Sequence, residues 1–301
     1  MAQGQPIIWR ALNAFRKTVC ALPHEKAVAL GGVLGGLVGR FSKKKAGEAT
    51  KRCAKILGVS EERAREIVIG SYANFGRSAA EFARMPIVAE RINDYVTSSG
   101  HEYIIDSVRS GRGAILATAH IGNWEYGACW VSRHLGLPVN SLGADQRDPH
   151  ITEMIKELRA IGGCKALGKS TDLRAMMKAL QNGEIIAVPV DQDSKEHGVL
   201  SPFLGYPASS PSGPARLAAK TGCDVITCAC VRRPDGVTFE MMFNPPLKGR
   251  DGGAFGKDIQ SSVDDLNEQV SEIIRKYPDQ WMWMYPRWES VERGVFGDIG
   301  N

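Results

Sequence analysis

At 301 residues, with 43% hydrophobic and 24% charged residues, the chain has the balance of a folded soluble or peripheral protein, large enough for one sizeable α/β domain or two small ones. That balance excludes intrinsic disorder, and no low-complexity tract or internal repeat interrupts it. The net charge of +5 is unevenly spread: residues 1–66 carry 13 Lys and Arg against 5 Asp and Glu, a balance of +8, and the remainder balances at −3.

The basic end comes first. Ile7, Ile8, Trp9, Leu12 and Phe15 form one apolar stripe flanked by Arg10, Arg16 and Lys17. The run from Ala27 to Phe41 is apolar and glycine-rich but about 15 residues long, short of the ~18–20 that a spanning helix needs. Lys43, Lys44 and Lys45 follow it. These features predict interfacial elements on an anionic membrane surface, where each basic residue contributes ~1 kcal/mol. The plainer alternative is a helical hairpin packed on the domain with a solvated basic face. No small-residue cleavage site follows, so no secretory signal is expected. Nucleic acid is not an expected partner, because no recognition motif is present and aromatics do not interleave with the basic residues.

Residues 46–95 read as helical, with helix-spaced apolar positions over Ala46–Leu57 and Glu61–Phe82 and Ser60 as an N-cap. An α/β core should follow from about residue 100. Gly113–Ala119 reads as a buried strand, and Asn123 caps a helix over Trp124–His134 that stops at Gly136. Further strands are expected at Pro138–Gly143, Cys164–Leu167 and Glu184–Val190. Helices are expected at Ile151–Ile161, at Thr171–Gln181 capped by Ser170, and at Pro214–Thr221. Cys223–Arg232 and Val237–Phe243 read as a hairpin, and Ser262 opens a last helix to about Lys276 with a capping-box pattern. Strands alternating with helices predict an α/β fold: a mixed, largely parallel central sheet flanked by helices. The expected division is an N-terminal helical, membrane-associating region over 1–95 and an α/β core over 96–301.

The chemistry centres on His120-Ile121-Gly122-Asn123-Trp124-Glu125, directly after the first core strand. Neutral imidazole, with an ordinary pKa near 6.5, accepts a proton at physiological pH. A carboxylate on its other ring nitrogen fixes the tautomer and stabilises the imidazolium. Five residues along a continuous helix would rotate His120 and Glu125 ~140° apart, whereas a strand end and a turn can bring them together. A lone His and Glu at this spacing also arises by chance; the position at a strand's carboxyl end favours function.

Four blocks, GAILATAHIGNWEYG, VPVDQDS, PFLGYPASSPSGPARLAAKTG and YPDQWMWMYPRWE, resemble in this order the lipid A biosynthesis (lauroyl and myristoyl) acyltransferases, within the glycerolipid acyltransferase superfamily that also includes phosphatidylinositol mannoside acyltransferases. The resemblance runs from about Pro23 to Glu289. It implies acyl transfer from a thioester donor, on acyl carrier protein or coenzyme A, to a glycolipid hydroxyl, with a lipid A precursor as the leading acceptor. Acylation of a mannoside-type glycolipid or a lysophospholipid is the alternative enzyme reading, and a non-catalytic lipid-binding membrane protein the alternative outside enzymology. It further implies His120 as general base with Glu125 as its partner, no cofactor beyond the thioester co-substrate, and a place on the cytoplasmic face of a bacterial inner membrane. Asn123, Arg159, Asp191, Gln192 and Arg216 are the candidate substrate contacts. Asp191-Gln192-Asp193 ends a strand and would position an acceptor sugar or support His120, and the two guanidinium groups suit phosphate.

Amide groups of the 122–123 turn or of Pro207–Gly213 are candidate oxyanion donors. Ser209, Ser210 and Ser212 read as turn and cap residues. No Gly-x-Ser-x-Gly elbow is present, which argues against a serine hydrolase. The seven cysteines form neither a disulfide framework nor a zinc pattern and read as core. Trp281, Trp283, Tyr285 and Trp288 alternate, as a core strand or a lipid-interface belt would. Among the other histidines only His197, after Asp193, merits attention.

Overall fold

A computed structural model describes residues 7–143, 146–167 and 173–297. Four helices come first: α1 (Ile7–Ala21), α2 (His24–Phe41), α3 (Lys43–Leu57) and α4 (Glu61–Ala83). Their ends follow local chemistry. Ser60 Oγ accepts the Arg63 amide at the head of α4, and Gly58 closes α3 in the left-handed region. α2 meets α4 through glycines: a Cβ on Gly31 or Gly35 would strike the backbone of Gly76 or Tyr72, so the two helix backbones lie in contact. The opposite face of α2 exposes Val33, Leu34, Leu37, Val38 and Phe41. Among the described residues no helix is long and apolar enough to cross a membrane.

A one-turn helix, α5 (Met85–Val88), leads into the sheet. The strands are β1 (Val96–Ser99), β2 (Ala114–Thr118), β3 (Val139–Leu142), β4 (Lys165–Leu167), β5 (Ile185–Pro189), β8 (Asp224–Arg232) and β9 (Phe239–Phe243), in the order β1-β9-β8-β2-β5-β3-β4. Every neighbouring pair is parallel except β8 with β9. β6 (Val199–Phe203) and β7 (Tyr206–Ser210) form a separate antiparallel hairpin. The remaining helices are α6 (Glu102–Arg109), α7 (Trp124–Arg133), α8 (Pro149–Ile161), α9 (Leu173–Gln181), α10 (Gly213–Thr221), α11 (Ile259–Lys276) and the short α12 (Glu289–Glu292). Strand residues alternate between two cores: Ile115, Ala117 and Ile186 pack with residues of α3, α4, α10 and α11, while Ala114, Leu116 and Ile185 pack with α6, α7 and α8. The mixed, mostly parallel sheet, its flanking helices and the helical N-terminal region are as the alternation predicts.

Several local expectations need correction. A strand not read from the sequence, β1, precedes Gly113–Ala119: it is short and polar, pairs at the edge with β9 and carries no period of its own. Residues 207–210 are not a loop: Ser209 and Ser210 are buried in β7. The last helix begins at Ile259, and its cap is Asp258, whose carboxylate accepts the Gln260 and Ser261 amides. Ser262 lies inside that helix and accepts the Gly256 amide instead. Trp281, Trp283 and Trp288 are buried, so they form core rather than a lipid belt, and they do so from an irregular segment rather than a strand. All seven cysteines are unpaired and six are buried. The Ser170 cap and Thr171 lie outside the described residues.

Candidate active site

β2 and β5 are adjacent and parallel, in register Thr118 with Pro189. Each strand ends two residues before a polar side chain, so His120 and Asp191 emerge opposite one another although 71 residues separate them. The chain crosses from β2 to β3 and later returns to insert β5 between them, which makes these strand ends a topological switch point, the place where α/β folds bind ligands. His120 Nδ1 lies 2.7 Å from Asp191 Oδ1, and the His120 amide donates to Asp191 Oδ2 at 2.8 Å. Trp281 Nε1 donates to the same Oδ2 at 2.8 Å. A carboxylate only accepts, so Nδ1 carries the proton and Nε2 is left with its lone pair.

Both side chains are shielded. Side-chain exposure is 17% for His120 and 3% for Asp191. Burial alone would lower the His120 pKa, but the Asp191 charge and hydrogen bond outweigh it and hold it above 6.5. Burial would raise Asp191, yet His120 and the bonds from its amide and from Trp281 hold that carboxyl below its ordinary range. Behind the pair, Arg287 is fully buried, donating to Ser209 O and Ser210 Oγ at 2.6 Å each, and burial lowers it to about 10. Asp193 is tied to the C-terminal segment: its carboxylate accepts the Ser290 amide at 2.8 Å and the Ser290 hydroxyl at 2.5 Å.

The turn that presents His120 is held from three sides. Gly122 has φ +59°, and a Cβ there would collide with the Cys230 carbonyl, so only glycine fits. Its amide donates to Gln280 O, and its carbonyl accepts Asn74 Nδ2 and Ser78 Oγ from α4. Asn123 caps α7 by accepting the Tyr126 amide and donates Nδ2 to Glu81 at 2.8 Å. Glu81 in turn receives both terminal nitrogens of Arg232, at 2.5 and 2.7 Å, in a fully buried pair.

The carboxylate on the histidine is therefore that of Asp191, and Glu125 turns elsewhere. Glu125 receives Arg159 Nη2 at 2.7 Å and Nε at 3.1 and 3.2 Å, together with the Trp124 indole at 3.2 Å. This ion pair, 16% and 12% exposed, lines the same cavity as His120. The cavity measures about 500 Å³ and its wall is mainly apolar: Leu12 and Phe15 from α1, Phe75 and Phe82 from α4, Met154 and Leu158 from α8. Asn123 also lines it. Gln192 is exposed and is not part of the lining. Arg216 is exposed on α10, bonded to Ser212, and is likewise outside it. The Gly122 and Asn123 amides are both taken by carbonyls and so are not free as oxyanion donors, and residues 207–213 do not reach the cavity. His197 is exposed beside Glu196. Among the described residues no three His, Cys, Asp or Glu side chains gather as metal ligands would. Sequence reasoning missed Trp281 as a site residue and the Glu81–Arg232 support. The strand-end position of Asp191 was the signal for the histidine's partner.

A mostly parallel α/β sheet with a buried imidazole–carboxylate pair at its switch point, facing a largely apolar cavity, has the layout of an α/β enzyme handling an apolar substrate. The sequence model of the bacterial lipid A biosynthesis acyltransferases matches residues 4–290, and the chain belongs to that family; it is a lipid acyltransferase. It is similar to the lipid A biosynthesis lauroyltransferase of Escherichia coli, with 25% identity over 282 residues, 92% of this chain and 90% of that one. It is also similar to the phosphatidylinositol mannoside acyltransferases of Mycolicibacterium smegmatis (24% over 228 residues, 74% and 72%) and Mycobacterium tuberculosis (23% over 248 residues, 79% and 75%).

Proposed function

We propose that the protein transfers a fatty acyl group from a thioester, on acyl carrier protein or coenzyme A, to a hydroxyl of a lipid A precursor. The observation that carries this reading is the His120–Asp191 pair opening onto the apolar cavity. In one ternary complex, His120 Nε2 takes the proton of the acceptor hydroxyl. The oxygen attacks the thioester carbonyl, the C–S bond breaks, and the imidazolium returns the proton to the departing thiolate. Asp191 holds the tautomer and stabilises the transient imidazolium. The 500 Å³ cavity, within the usual ~300–1,000 Å³ of ligand sites, accommodates acyl chain against Leu12, Phe15 and the α4 and α8 side chains. Arg159, braced by Glu125, supplies positive charge on the cavity wall for an anionic group of donor or acceptor, and Glu125 acts through that brace. The enzyme works on the cytoplasmic face of the inner membrane as a peripheral protein, which the exposed apolar face of α2 and the basic residues after it support.

A mannoside-type glycolipid is the second acceptor reading, supported by the similarity to the two mycobacterial enzymes. Purified protein should transfer acyl groups to a lipid A precursor in vitro, and His120→Ala should fold normally yet lose transfer by about 10⁴-fold or more. Wild-type turnover of His120→Ala would remove the imidazole as base. Transfer to a phosphatidylinositol mannoside, with none to a lipid A precursor, would replace the acceptor.

A further inference from the structure

A groove of about 510 Å³ opens where the end of α2, the first half of α3 and the first turns of α4 meet. Arg40, Lys43, Lys51 and Arg65 line it from the three helices, with Glu61 and Glu62 the acidic members of the wall. Nearby Arg63 is held by Glu66 at 2.7 Å, whereas none of the four lining cations forms an ion pair among the described residues. Four cations against two carboxylates leave this concave wall with a net positive charge that no ion pair to the cations neutralises, and a bound anion relieves it. Two guanidinium forks and two ammonium groups match the oxygens of a phosphate.

The groove does not stand alone. Val38 and Phe41, 56% and 77% exposed, flank Arg40 on α2, and Leu37, Leu34 and Val33 extend the apolar stripe away from it. An inorganic phosphate or an acidic protein surface would engage the cations alone. An anionic phospholipid engages both halves, its phosphate among the cations and its chains along the stripe. The register of α2 sets what lies at each end: Gly39 packs on Tyr72 and Gly31 on Ala80, so the helix runs from the groove toward the turns of α4 that wall the acyl cavity. Val68 in the groove and Ser78 in the cavity are ten residues apart on α4, about 15 Å along its axis.

We propose that this groove binds the phosphate headgroup of an anionic phospholipid, seating the α2 stripe in the bilayer with the acyl cavity beside the membrane surface. The proposal rests on the membrane-surface part of the reading above and not on the His120 chemistry. The full-length protein is tested by flotation with phosphatidylcholine vesicles containing or lacking phosphatidylglycerol. Arg40→Gln/Lys43→Gln/Arg65→Gln is compared with Lys44→Gln/Lys45→Gln/Lys55→Gln, which removes equal charge from the adjacent surface outside the groove. The groove variant should lose binding to the phosphatidylglycerol vesicles by about tenfold more than the control, while Phe41→Ser weakens binding to both vesicle types. Equal losses in the two triple variants would reduce the effect to diffuse attraction and overturn the site. Displacement from vesicles by millimolar inorganic phosphate at constant ionic strength would make it a plain phosphate site. Normal vesicle binding with loss of transfer from an acyl carrier protein donor alone would assign it to an acidic protein. Turnover on detergent-dispersed substrate, measured in parallel, reports on the acyltransfer chemistry separately.

Discussion

At the scale of the residue, the His120–Asp191 contact sets both protonation and orientation. The His120 pKa is held above 6.5, and a general base must be neutral, so transfer should rise with pH through a midpoint above 6.5. The linked stability runs the other way: the imidazolium–carboxylate attraction is fully present below 6.5 and is lost as pH rises through the folded-state value. Asp191→Asn removes the leading cause of the rise and leaves burial, which lowers the imidazole. Its midpoint should fall below that of the wild type and kcat should drop by about 10²–10⁴-fold, because the Nδ1–H tautomer is no longer held. Glu125 raises His120 only through its charge, without a hydrogen bond, so Glu125→Gln should move the midpoint down by less. A pH–rate profile of the three proteins checks the order, and a larger shift for Glu125→Gln would hand the partner role back to that carboxylate.

At the scale of the element, the short turn between β2 and α7 decides where the imidazole goes. Gly122 is wedged against Cys230 with a positive φ, and its two polar groups are held by α4 and the C-terminal segment. Gly122→Ala introduces left-handed strain of about 1–2 kcal/mol and adds a backbone clash. The expected loss in urea-unfolding stability is about 2 kcal/mol or more, with transfer falling further than stability because His120 is displaced. An unchanged urea midpoint would show that the turn can relax. The segment after α11 serves the same end. The Ser71 hydroxyl donates to Trp281 O, Met282 donates its amide to His120 O, and the Trp281 indole reaches Asp191. A tryptophan more than 150 residues from the histidine thus closes the back of the site.

At the scale of the whole molecule, a buried ion pair joins the helical N-terminal part to the sheet. Glu81 of α4 and Arg232 of β8 are 0% and 4% exposed, and Asn74, Ser78 and Asn123 complete their hydrogen bonds. Removing one partner leaves the other charged and buried, so Arg232→Met should cost about 3–5 kcal/mol. The double variant Glu81→Leu/Arg232→Met should lose less than the sum of the single losses, since no isolated charge remains. Urea midpoints of the four proteins test this, and strict additivity would deny the coupling. The same junction bears on the candidate site: α4 walls the apolar cavity with Phe75 and Phe82, supports the Gly122 turn with Asn74 and Ser78, and bears α2 with its exposed stripe.

The local physics of the chain determined most of the elements. Short apolar runs bounded by turn residues, such as Ala114–Thr118 and Ile185–Pro189, read as inner strands, and caps such as Ser60 and Asn123 mark helix starts, because these preferences act over a few residues. His120 was legible for the same reason, as a polar group ending such a strand. Its partner was legible only in part: sequence proximity put Glu125 first and left Asp191 as a strand-end residue with two possible roles, and the parallel register that delivers Asp191 to His120 joins strands many residues apart. The edge strand β1, the β6–β7 hairpin and the burial of Trp281 were likewise settled by pairing and packing. The groove at the junction of α2, α3 and α4 exists only once glycine faces let two helix backbones touch. Short-range conformational preference resides in the chain itself, whereas strand register and helix docking arise from contacts between distant segments, and the acid–base pair is one of those contacts.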